Sequence, residues 1–246
     1  MNILKQVLLI GFLFLVSSLA NAQHQHNSSV DNKGFTFIKN KGQWKSNIDF
    51  KCPIPGGNLY LEKNRLVYNF IDLSPLTHQH GQEHDHKKGD FNPFTDKLNG
   101  HCFFVNFLSS NSVAKNIGQS KKSGIHNYYL GNNPNKWASN VPLYNEVLTQ
   151  NIYPGIDLHT GNAQGNLKFE FFVAPNANSQ QIKLEFDGVN SIKIKNKELV
   201  IKTSLGQIIE EAPIAYQIIN GLKTDVACNF TLNENVVGFE FPEGYN

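Results

Sequence analysis

Four histidines fall within nine residues: His78, His80, His84 and His86, with Glu83 and Asp85 beside them. Neutral imidazole is the commonest protein ligand for metals, so this density could hold Zn²⁺, Cu²⁺ or Ni²⁺. His80-Gly81-Gln82-Glu83-His84 also spells H-x-x-E-H, the inverted zinc-protease pattern. That motif works on a helix, which brings both imidazoles to one face and lets the glutamate reach a bound water. Here Gly81 opens the stretch, Gly89 follows, and no apolar stripe would pack such a helix. The reading is a solvated polar loop, with modest or adventitious metal binding as the alternative. His24 and His26 read as part of a free polar tail, and His101, His126 and His159 are single residues without a motif.

Other chemistry is sparse. The sequence holds no G-x-S-x-G elbow and no phosphate-binding G-x-x-x-x-G-K loop. Glu210 and Glu211 are adjacent, and neighbours on a strand point to opposite faces, so they cannot form a facing acid/base pair. Asp157 is a lone carboxylate entering a strand, which suits turn hydrogen bonding. The expectation is therefore a protein with no catalytic residues and no cofactor. Trp44, Trp137, Tyr128, Tyr129, Tyr144 and Tyr153 sit in or near turns, where they either cap a core or meet a glycan or protein ligand. Cys52, Cys102 and Cys228 are odd in number, so at least one thiol stays unpaired or pairs between chains. The sequence does not choose among the possible pairs.

The elements that must position these residues are strands. Ile182, Leu184 and Phe186 alternate with Lys183 and Glu185, and Ile192 and Ile194 alternate with Lys193 and Lys195. Val226, Cys228, Phe230 and Leu232 form another alternating set, as do Val237, Phe239 and Phe241. A period of two with one apolar face is the signature of an antiparallel sheet. Asn220-Gly221, Asn196-Lys197, Ser204-Leu205-Gly206 and Asn233-Glu234-Asn235 supply turns, so Ile182–Phe241 reads as a meander of about seven short strands. Upstream strands are expected at 35–38, 48–52, 58–62, 65–71, 102–107, 141–149, 156–160 and 167–173. Pro134–Trp137 and Pro175–Gln181 have room for a helical turn or two. The fold class is all-β, one or two antiparallel β-sandwiches with little helix. Two polar stretches interrupt the pattern: a His-rich loop at 74–100, and Ser109–Ser123 at the surface.

The first 22 residues read differently. Lys5 precedes an apolar run, almost without interruption, from Val7 to Val16, followed by small residues and Ala20-Asn21-Ala22. A basic head, an apolar centre and an A-x-A site describe a signal peptide cleaved after Ala22. The run is too short to span a bilayer as a helix. Residues 23–33 follow as a flexible lead, and 34–246 as a β-rich extracellular module with possible sub-domains 34–130 and 138–246. The formal net charge is +2, and Arg65 is the single arginine among 22 basic residues. Nucleic-acid readers rely on arginine forks, so no nucleic-acid partner is expected.

Several segments carry a resemblance. Phe37-Ile38-Lys39-Asn40-Lys41-Gly42-Gln43-Trp44, Pro55–Leu61, Tyr128–Trp137, Asn151–Leu158, Ala215-Tyr216-Gln217 and Val237–Phe241 are similar to an uncharacterised N-terminal domain of large secreted bacterial proteins. Such domains often precede SBBP, β-propeller-type, repeats and a type IX, gliding-motility-associated sorting domain. The resemblance covers roughly residues 35–246 and implies a secreted or cell-surface module whose partners are downstream β repeats of the same polypeptide. It brings no catalytic residues. Because the sequence stops at Asn246 without such repeats, a fragment or truncated gene is expected. The expected role is adhesion, ligand binding or structural presentation, with no membrane span after cleavage. A metal-dependent exported hydrolase or a metal-binding protein using the His loop is the alternative.

Overall fold

The structure, a computed structural model, describes residues 8–15, 34–76, 97–163 and 165–245. Its elements are almost all strands, which confirms the all-β expectation. They are β1 (Leu8–Leu15), β2 (Phe37–Lys39), β3 (Ile48–Ile54), β4 (Gly57–Glu62), β5 (Arg65–Ile71), β6 (Gly100–Phe107), β7 (Lys115–Tyr128), β8 (Ala138–Tyr153) and β9 (Ile156–Ala163). The remainder are β10 (Asn166–Val173), β11 (Leu184–Asp187), β12 (Ser191–Lys195), β13 (Glu198–Thr203), β14 (Gly206–Glu210), β15 (Ile214–Ile219), β16 (Leu222–Val226), β17 (Asn229–Asn233) and β18 (Val236–Glu240). Three single-turn 3₁₀ helices lie at Ser74–Leu76, Pro134–Lys136 and Ser179–Gln181.

Two antiparallel layers share one long strand. The first runs β2-β3-β4-β5-β6-β11-β18-β17. The second runs β7-β8-β9-β10-β1. Beyond β1 it divides. Residues 8–11 pair with β15, which continues to β16, while Phe14 and Leu15 pair with β14, which continues to β13 and β12. β8 is the hinge between layers. One of its edges carries β7, and the other carries β2 at Leu143 and Tyr144 and then β9 from Val147.

The layers close on one core. Tyr68 and Phe103 stack at 4.7 Å from β5 and β6, and Phe171 of β10 meets Phe239 of β18 at 6.2 Å. A single buried cluster takes residues from both 34–130 and 138–246, so these stretches pack as one unit. Burying a large apolar side chain gives about 1.5–3 kcal/mol, which is why this aromatic centre dominates the fold.

Most turns behave as their residues dictate. Asn196 and Lys197 have φ of 53° and 68°, and Asn220 and Gly221 have 53° and 81°. Positive φ at both central residues matches the right-handed twist of the flanking strands. The meander contains eight strands rather than about seven. Three differences are larger. Ser109–Ser123, read as polar surface, does lie largely at the surface, but most of it belongs to β7, a strand exposed over most of its length. It lacks an apolar face because it extends along β8 away from the core, held by its backbone pairing and by side-chain contacts such as Asn116 Nδ2 donating to the Glu62 carbonyl and Lys122 to Thr36. Ile194, expected to be covered, is exposed because β12 pairs only with β13 among the described residues. Finally, Leu8–Leu15, from the apolar centre of the stretch read as a signal outside the fold, lies inside the sheet. An unbroken apolar run satisfies a strand buried on both faces as well as it satisfies an export signal.

Candidate functional site

The site begins with the loop after β2. Asn40 organises it. Its Oδ1 accepts from the backbone N–H groups of Gly42 at 3.0 Å and Trp44 at 3.2 Å. Its Nδ2 donates to the carbonyls of Lys45 at 2.9 Å and Ile48 at 2.8 Å. Gln43 clamps the same loop, donating to the Lys39 carbonyl at 2.8 Å and accepting from Lys41 N–H at 2.7 Å. Gly42 adopts φ 106°, a conformation that a side chain would strain. Each polar residue of Asn40-Lys41-Gly42-Gln43 thus helps to set the position of Trp44, whose ring rests edge-on against Tyr128 at 5.5 Å.

Trp44 rims a depression of about 770 Å³ over the outer face of β4, β5 and β6. Its floor follows from strand parity: Tyr60 pairs with Val67, and Val67 with Phe104, so the three form a row across the sheet. Arg65 stands at one end. Its Nε donates to Glu62 Oε2 at 2.7 Å, and its guanidinium lies 4.7 Å from the Phe104 ring centre. Glu62 is nearly buried and also accepts from Asn47 Nδ2 at 2.6 Å. The guanidinium is therefore fixed, with further N–H donors beyond the Nε contact. Lys45 and Lys136 complete a cationic rim. Lys51 sits between Trp44 at 5.6 Å and Tyr60 at 6.0 Å, and burial lowers its pKa below the ordinary lysine value.

A second loop, Gly131–Trp137, closes on itself beside this rim. Asn133 Oδ1 caps the short helix at Asn135 N–H, 3.0 Å, and Trp137 Nε1 donates to the Gly131 carbonyl at 3.1 Å. This fold of the chain carries Lys136 to the depression. Tyr129 and Trp137 meet edge-on at 5.8 Å and both are exposed. Tyr153, by contrast, is fully buried and donates to the Lys183 carbonyl at 3.2 Å, while Tyr144 packs edge-on to Phe50.

Residues expected from sequence fall as follows. His78, His80, His84 and His86 lie outside the described residues. The ends of their loop meet, since Asp72 N–H donates to the Asn99 carbonyl at 2.8 Å. The loop therefore leaves and returns at the end of the β5–β6 pair that floors the depression. Asp157 makes the turn contact expected of it, accepting from Asn151 N–H at 2.6 Å. His101 accepts or donates at Ser204 Oγ, 3.0 Å, and His159 packs on Phe172, far apart in the pairing order. Among the described residues no group of three or more His, Cys, Asp or Glu is placed to hold a metal. All three cysteines are free thiols. Cys52 is buried, with its pKa pushed up to about 12 by desolvation, whereas Cys102 opens into the depression.

Sequence reasoning weighed Glu210 only as a neighbour of Glu211 and did not place it in the core. It is buried in the core, and its Oε2 has no hydrogen-bond partner among the described residues. Burial raises its pKa well above the ordinary carboxyl value, because desolvation disfavours the charged form. The signal was present: Ile208 faces inward, and a residue two further along a strand must do the same. Its surroundings are the apolar side chains of β5, β6, β9, β10 and β11. Such a group in a closed core has no route to a substrate.

The fold and the depression define an all-β module with an open, aromatic-floored, cationic cleft. The chain belongs to the DUF7948 family, a domain of unknown function, which matches residues 37–246. No curated protein and no solved structure matches it.

Proposed function

We propose that the chain is an exported, non-catalytic binding module of the cell surface or secreted fraction, and that the cleft over β4–β6 takes an acidic glycan. One observation carries the reading: Trp44, Tyr60, Phe104 and a side-chain-locked Arg65 line a single open depression. Its size is that of small-molecule and oligosaccharide sites, about 300–1,000 Å³. Aromatic faces suit the C–H faces of sugar rings. Arg65, Lys45 and Lys136 outnumber Glu62, which favours a carboxylated or sulfated sugar over a neutral one. Export is supported by the basic head, apolar run and Ala20-Asn21-Ala22 site. Among the described residues no helix is long and apolar enough to cross a membrane. Adhesion, or presentation of further β repeats of the same polypeptide, is the role that such a module would serve.

The test is a glycan array probed with the purified protein, followed by calorimetry at two salt concentrations. Binding of uronate or sulfated oligosaccharides that weakens with salt is expected, and Tyr60→Ala and Arg65→Ala should each abolish most of it. Retention of binding in both variants would place the ligand elsewhere; the absence of any acidic-glycan signal would remove the reading.

A further inference from the structure

β1 occupies a place no other described strand could fill. Seven of its residues pair with β10 and four with β15, and two more pair with β14. β10 is paired on its far edge with β9, β15 with β16, and β14 with β13. Take β1 away and the edges of β10, β15 and β14 all face a gap about two strand spacings wide, roughly 10 Å. The gap cannot zip shut in the pattern of the rest of the sheet. β1 is antiparallel to both neighbours, so β10 and β15 run in the same direction. Every pairing described elsewhere in the molecule is antiparallel.

The gap is also lined for an apolar guest. Leu8 lies opposite Val173 on one side and Gln217 on the other, and Ile10 lies opposite Phe171 and Ala215. Leu8 is 2 % exposed and Ile10 is 0 % exposed, and both belong to the main core. Leu9, on the opposite face, is 6 % exposed between Phe172 and Tyr216. Gly11 stands where an added Cβ would come within 3.3 Å of the Glu170 side chain. The slot therefore reads apolar residues on both faces for three positions, then a small one.

Resting on the export reading above, we infer that leader cleavage vacates this slot, and that the mature protein takes in its place an extended apolar strand from a partner polypeptide, antiparallel to β10. The chemistry is β-strand addition: ladder hydrogen bonds give affinity, and alternate side chains give specificity. Unpaired strand edges flanking an open apolar gap are otherwise a strong liability for aggregation. In the precursor, the leader's own apolar run covers the slot.

The full precursor is to be expressed in an exporting bacterial host and the secreted product weighed by mass spectrometry. A chain that keeps Met1 overturns the export reading and the vacancy with it. A product beginning at Gln23 is then titrated with a labelled peptide of the Leu8–Leu15 sequence flanked by lysines. One peptide bound per chain is expected, with amide-exchange protection gained in β10 and β15. An Ile10→Pro peptide should bind at least about tenfold more weakly, because proline removes a ladder donor. Ile10 is flanked on both sides, so its N–H meets a neighbour whichever way it points. If the processed chain does not stay folded, it is refolded with each peptide. A higher folded yield with the parent peptide than with the proline peptide supports the slot. Equal binding or equal yield with the two peptides overturns it, as does a folded mature chain that binds neither. A dimer that the peptide cannot dissociate makes a second copy the occupant and overturns the partner assignment.

Discussion

The two faces of β5 and β6 belong to the same residues in alternation, yet they are different materials. Inward, Leu66, Tyr68, Phe70, Phe103 and Val105 are buried and the rings of Tyr68 and Phe103 stack at 4.7 Å. Outward, Arg65, Val67, Asn69, Cys102 and Phe104 floor an open cleft. The inner face also meets a carboxyl, Glu210, whose Oε2 has no hydrogen-bond partner among the described residues, and the outer face holds one, Glu62, with two donors. The difference teaches that a polar group's meaning depends on what surrounds it. Glu210 is sealed in the core, where burial favours its uncharged form, whereas Glu62 accepts from Asn47 and Arg65 and aims the arginine.

Truncating the inner face should have the largest effect. Phe103→Ala empties a fully buried ring site and should cost about 3–5 kcal/mol, read as a drop in the denaturant midpoint. A loss below about 1 kcal/mol would show that the inner face is loosely packed and the contrast overstated.

Glu210 comes next. Its folded pKa lies above that of the unfolded chain, so the folded state holds the proton more tightly. That contribution is complete below the unfolded carboxyl pKa and is lost as pH rises through the folded one. Glu210→Met should flatten this decline and, by removing an unsatisfied buried oxygen, raise stability at pH 8 by about 1–3 kcal/mol. Thermal melts of both proteins from pH 4 to pH 8 would show it; parallel curves would mean that Glu210 does not titrate with folding.

On the outer face the changes should be small in stability and large in binding. Arg65→Ala should cost about 1 kcal/mol, since its ion pair is partly exposed. The smallest effect concerns reactivity. Cys102 should react with a soluble thiol reagent in the native protein while Cys52, with its pKa pushed to about 12 by burial, stays silent until unfolding. A cleft ligand should slow Cys102 alone. Equal labelling of both thiols would break the distinction between the faces.

Much of the fold was legible from alternation and turn chemistry. The strands at 58–62, 65–71 and 167–173 fall within a residue of the observed β4, β5 and β10. They alternate because one face is buried. β7 was not legible because neither of its faces is, and Ile194 misled because alternation cannot tell an edge strand from a central one. The cleft was half legible. Trp44 and the turn aromatics stood out, but Arg65, Glu62 and Phe104 are ordinary strand residues until the sheet sets them beside the Asn40 loop.

The sequence by itself determined an all-β chain, its hairpins, and a first segment so uniformly apolar that water cannot be its resting place. Composition and period settle those matters because they act over a few residues. Only the tertiary structure decided which thiol is open, that Glu210 is sealed in the core, and that Leu8–Leu15 has a strand-shaped berth between β10 and β15. Each of these depends on contacts between residues distant along the chain, and local pattern carries no record of which distant strand will lie alongside.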